Sequence, residues 1–166
     1  MPDIFWRQVP GPTADIEVAK GRMNDFDPDQ GMRDIEDLIA NLRNNKECNG
    51  KVGVLGFCFG GRYVHLSAAR LDINGGASFH GAFIGKHLDE TSNIKCPVSH
   101  HFGGDDPVVP MEEVNAIREA YGKLSNSDIG VYSGVGHNFG MPYKQGYDAN
   151  AARVSRAAAL KVFRSM

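Results

Sequence analysis

From Gly31 onward the chain alternates helical and extended hydrophobic patterns. Met32, Ile35, Leu38, Ile39 and Leu42 recur at helical spacing with charges between them, and Asn49-Gly50 breaks that run. Four short, mostly apolar stretches follow at 51–55, 76–79, 97–102 and 129–132, and the pattern predicts a strand at each. Helical spacing fills the intervals at 61–70, 111–124 and 147–163, the last enriched in alanine. Strand and helix in alternation imply right-handed crossovers. The expected fold is therefore α/β, a mainly parallel sheet with helices on both faces in three layers. Residues 71–95 are less regular. Residues 1–30 carry prolines at 2, 10, 12 and 28 and read as an irregular N-terminal segment, with room for a short helix near 15–26.

At 166 residues the chain is expected to form one domain, 1–166, with a core of its own. Its 18 basic and 20 acidic residues create no field that would gather nucleic acid or an anionic membrane, so neither is an expected partner. No apolar run approaches the ~20 residues of a membrane span. The first residues lack the basic head and apolar core of a secretory signal. Three cysteines, at 48, 58 and 96, have neither an even count nor CxxC spacing. They point away from a disulfide framework or zinc ribbon and toward a reduced, cytoplasmic setting. No cofactor or metal is expected.

One cysteine stands apart. Gly56, Cys58, Gly60 and Gly61 form G-x-C-x-G-G between the first strand and its helix. A strand-to-helix turn that lifts a nucleophile clear of the sheet must be sharp and strained, and chain passes close on either side of it. Small residues two before and two after the nucleophile, here Gly56 and Gly60, meet that demand. The alternative of a dinucleotide cradle fails on spacing, because G-x-G-x-x-G is not matched. A buried packing cysteine remains the plain alternative.

A nucleophile of this kind needs a base, and the base needs an orienting acid. The loop after the third strand, HFGGDDPVVP, offers Asp105 and Asp106; the loop after the fourth, YSGVGHNFG, offers His137. Both leave the same sheet edge as the elbow, where ligands of open α/β sheets bind, and the order nucleophile, acid, histidine is that of elbow hydrolases. One aspartate could instead cap the next helix. His100 and His101 are neighbours on a strand, point to opposite faces and read as structural. His80 ends the second strand and is a weaker candidate to line the pocket.

In these motifs the chain resembles the dienelactone hydrolase family of the α/β-hydrolase fold. The resemblance is carried in order by PDIFWRQ (2–8), DQGMRDIEDLIANLR (29–43), GKVGVLGFCFGG (50–61), HFGGDDPVVP (101–110) and YSGVGHNFG (132–140), with cysteine rather than serine at the elbow. It implies hydrolysis of a small ester or lactone by Cys58 as nucleophile, Asp106 as acid and His137 as base. The backbone N–H of Phe59 would serve the oxyanion, and Arg7 would contact a substrate carboxylate. It also implies a set of N-terminal strands, with a second oxyanion donor, for which this chain shows no matching residues. The fold is thus expected in an N-terminally truncated form. The first strand would then lie at a sheet edge, which a second copy of the chain could cover. Two other readings are carried forward. One is a non-catalytic remnant or interaction module of the same fold. The other is a glutamine amidotransferase-like cysteine enzyme, whose elbow is also G-x-C-x-G but whose expected His-x-Glu is here His137-Asn138-Phe139.

Overall fold

A computed structural model describes residues 3–166; Met1 and Pro2, the latter part of the 2–8 motif, lie outside them. The chain divides into two compact units, 1–38 and 39–166. In the first, α1 (Ile16–Asn24) begins at Asp15, whose carboxylate accepts the N–H groups of Glu17 and Val18. α2 (Pro28–Arg43) starts at a proline and runs on across the division. Phe5 and Phe26 meet edge to face with centroids 5.6 Å apart. The N-terminal region is therefore more ordered than its prolines suggest, because aspartates stand where two helices need caps: Asp27 accepts the N–H groups of Asp29 and Gln30.

The second unit holds a four-stranded, all-parallel sheet in the order β1-β2-β3-β4. The strands are β1 (Gly53–Phe57), β2 (Gly75–Phe79), β3 (Val98–Gly103) and β4 (Ser127–Tyr132). The helices α3 (Gly60–Arg70), α4 (Met111–Tyr121) and α5 (Ala149–Ser165) fall close to their predicted spans. β1 lies two residues later than its apolar run suggests. The irregular stretch 71–95 contains a kinked 3₁₀ segment, Ile84–Asn93, that no clear period announced.

Glycines in the strands show how the layers fit. A side chain at Gly75 would strike Val162 and Met166, at and beyond the end of α5, whereas one at Gly76 would strike Val64 of α3. Successive strand residues face opposite ways, so α3 and α5 cover opposite faces of the sheet. β1 repeats the pattern, with Gly53 against Phe163 and Gly56 against Val64. The core is buried accordingly: Val64, Ala77, Val98, Phe102, Val114, Ile117, Tyr121, Phe139 and Ala152 are almost fully shielded from solvent. β1 is an edge strand with β2 as its strand partner, and Leu55 on it is 52% exposed.

His100 and His101 are both buried and face different neighbours. His100 meets Tyr121 of α4 with centroids 4.7 Å apart, and His101 meets Phe79 at 5.0 Å and Tyr132 at 6.1 Å.

Candidate active site

Cys58 occupies the turn between β1 and α3 with φ of +48°. A non-glycine residue in the left-handed region is strained, and the surroundings hold it there. Its N–H donates to the Phe79 carbonyl at 3.1 Å. Its own carbonyl accepts from the N–H groups of Gly61 and Ala82, each at 2.9 Å. The turn is thus stitched to the end of β2 as well as to its own helix.

The glycine fence works differently from the sequence expectation at one position. A Cβ on Gly56 would lie 2.3 Å from the Gly60 carbonyl oxygen, so Gly56 must be small. Gly60 itself has open space where a Cβ would be; it contributes the backbone that Gly56 abuts. The second true constraint is Gly61, where a Cβ would come within 2.3 Å of the Gly81 Cα. The close approach is between the elbow and the loop after β2, which sequence spacing alone does not reveal.

Asp105 and Asp106 are separated by burial. Asp105 is exposed, while Asp106 is 5% exposed and turned inward. One oxygen of Asp106, Oδ1, accepts the N–H groups of Val108 at 2.8 Å and Val109 at 3.3 Å. The other, Oδ2, lies 2.8 Å from Nδ1 of His137. Burial works against its charge, but the His137 contact and these backbone donors hold the carboxyl below its usual range. The β3 and β4 loops are pressed together to make this pairing: a side chain at Gly103 would fall 2.4 Å from the Val135 carbonyl oxygen. The Gly104 N–H donates to the Tyr132 carbonyl at 2.7 Å and that of Asp105 to Val135 at 3.0 Å.

The His137 side chain is 13% exposed. Burial alone would lower its pKa, but the hydrogen bond to Asp106 and the neighbouring Cys58 push it up to about 9. The imidazole is therefore held at Nδ1 by the acid and favours its protonated form. Phe59 follows Cys58 with helical backbone angles at the start of α3.

The structure brings Cys58, Asp106 and His137 together from three strand ends. Arg7 belongs to the N-terminal unit, where its Nε and Nη2 donate to the two carboxylate oxygens of Asp34, both at 2.8 Å. Sequence reasoning undervalued His80: its ring stands 4.4 Å from that of His137, centroid to centroid. The signal was its place directly after β2, in register beside Cys58. Among the described residues no group of three or more His, Cys, Asp or Glu side chains is arranged to hold a metal ion.

The sequence model of the dienelactone hydrolase family matches residues 1–166. The chain belongs to the dienelactone hydrolase family. It is similar to carboxymethylenebutenolidase of Pseudomonas putida, 31% identical over 160 residues, covering 93% of this chain and 68% of that protein. It is also similar to carboxymethylenebutenolidase 1 of Cupriavidus pinatubonensis, at 29% identity over 97% of this chain and 71% of the relative. Among solved structures, a Klebsiella pneumoniae protein whose name also places it among the dienelactone hydrolases superposes with a TM-score of 0.87 at 21% identity. That match covers 99% of this chain and 74% of the other, and it establishes the α/β-hydrolase-like fold. Family membership makes the protein a hydrolase and supports ester or lactone substrates. No described helix is long and apolar enough to cross a membrane.

Proposed function

We propose that this dienelactone hydrolase family member cleaves a small carboxylic ester or lactone through a Cys58–His137–Asp106 triad. The observation that carries the reading is the 2.8 Å contact of His137 Nδ1 with Asp106, with Cys58 held in the strained turn after β1. In the proposed sequence the Cys58 thiolate attacks the substrate carbonyl carbon and a C–S bond forms. The resulting oxyanion is assigned to the backbone N–H of Phe59, the N-cap residue of α3. Collapse breaks the C–O bond, and the departing oxygen takes the proton from His137. The neutral His137 then draws a proton from water, which attacks the thioester. The C–S bond breaks, the acid leaves, and the thiolate and protonated His137 return. Asp106 keeps Nδ1 protonated and the ring in plane throughout.

In this reading the unpaired edge of β1 is covered by a second copy of the chain, and the setting is cytoplasmic, where Cys48, Cys58 and Cys96 stay reduced. The test is turnover of p-nitrophenyl acetate by wild type, Cys58→Ala and His137→Ala. Loss of turnover in both variants is expected, and acetyl transfer to Cys58 should be trapped by mass spectrometry in the first turnover. Equal rates in all three proteins would eliminate the triad.

A further inference from the structure

His80 follows β2 as Cys58 follows β1, and the residues just before them, Phe57 and Phe79, are register partners. Like Cys58, His80 has a positive φ, +41°, and its N–H donates to the His101 carbonyl at 2.7 Å. The side chain is wholly buried. Its ring meets His137 in a T-shaped contact, 4.4 Å between centroids with planes at 62°. Phe57 and Phe139 flank it, each 5.9 Å away. Neither Nδ1 nor Nε2 has a hydrogen-bond partner. Two buried polar atoms without a protein partner are costly. Here the ring that carries them lies against the imidazole of the proposed base.

Resting on the hydrolase reading above, we propose that His80 is a positioning residue for His137, fixing the plane in which that ring faces Cys58. Asp106 holds His137 through a single nitrogen, and a ring held at one atom can pivot about that bond. A second ring packed against it removes the pivot. Burial first, and then the charge of His137, hold the His80 pKa down to about 4, with Asp106 acting in the opposite sense. His80 therefore stays neutral at working pH and places no competing charge beside the protonated base.

The experiment compares wild type, His80→Ala and His80→Phe with p-nitrophenyl acetate. Rates are expressed per folded molecule, with the folded fraction read from the cooperative transition in equilibrium unfolding, so that any misfolded fraction drops out. His80→Ala should lower kcat by roughly 10- to 100-fold, the scale of a mispositioned catalytic group. Its KM should stay within about threefold, because substrate binding is untouched. His80→Phe restores a ring at the same place and should recover most of the lost kcat. An unchanged kcat in His80→Ala would overturn the role, as would an equal loss in both variants. A wild type that turns over no ester would instead overturn the hydrolase reading, and this role with it.

Discussion

Oδ2 of Asp106 lies 2.8 Å from Nδ1 of His137, while Oδ1 of the same carboxylate is fixed by the N–H groups of Val108 and Val109. The loop after β3 thus aims one oxygen at the histidine by anchoring the other. Asp106→Asn keeps an oxygen for the backbone donors and replaces the aimed oxygen with an amide. The imidazole would lose its preferred tautomer. We expect kcat on p-nitrophenyl acetate to fall by at least ~100-fold, toward the ~10⁴-fold typical of losing such an orienter. Circular dichroism should be unchanged. A loss under about threefold would show that the pairing does not serve catalysis.

His137 gives a pH signature. Its pKa rises from 6.5 to about 9 on folding. The stability it contributes is therefore complete below pH 6.5 and disappears as pH climbs through 9. Between pH 6.5 and 10, wild type should lose more melting temperature than His137→Gln, which cannot titrate there. Parallel melting curves for the two proteins across that range would refute the assignment. Turnover should decline above about pH 9 as the proton for the leaving oxygen is lost.

Gly56 and Gly60 should respond oppositely to alanine. At Gly56 the new Cβ meets rigid backbone 2.3 Å away, an overpacking of a kind that costs about 1–3 kcal/mol, together with loss of the elbow geometry. At Gly60 there is open space, and alanine should change stability by no more than ~0.5 kcal/mol. Chemical denaturation of both variants checks the pair, and equal destabilisation would contradict the geometry described for the turn.

Tyr121 ends α4 with its hydroxyl 2.6 Å from Nδ1 of His65, whose Nε2 lies 2.8 Å from the His87 carbonyl. The carbonyl can only accept, so Nε2 carries the proton and Nδ1 accepts from the tyrosine. Tyr121→Phe leaves that buried nitrogen without a donor, a loss of about 1–3 kcal/mol. Equilibrium unfolding would read it, while turnover per folded molecule should be unaffected.

The β1 edge bears on assembly. If a second copy covers it, sedimentation velocity will show a dimer, and Leu55→Lys, at a side chain 52% exposed on that strand, will shift it toward monomer. A concentration-independent monomer in wild type would dispose of the self-pairing.

Much of this protein was legible without coordinates, because its strongest signals are local. Alternating short apolar runs and helical periods gave the layer type. The glycines around Cys58 marked the turn, since a strained conformation restricts which residues can sit beside it. The order of Cys58, Asp106 and His137 along the chain pointed to three strand ends at one edge. Those are properties of backbone and pattern, and each is written in a few neighbouring residues.

What the tertiary structure decided depends on chain segments far apart in sequence. Burial supplies the physical reason that Asp106, already singled out by the family resemblance, differs from Asp105, which shares its loop and residue type. The need for glycine at Gly61 arises from Gly81, twenty positions away, so spacing around the cysteine assigned it wrongly to Gly60. His80 became part of the site because the β1 and β2 registers bring two strand ends level and the β4 loop folds His137 over them. Sequence determines which residues are able to do the chemistry. Which of them meet, and at what protonation, is fixed by non-local packing and the burial it imposes.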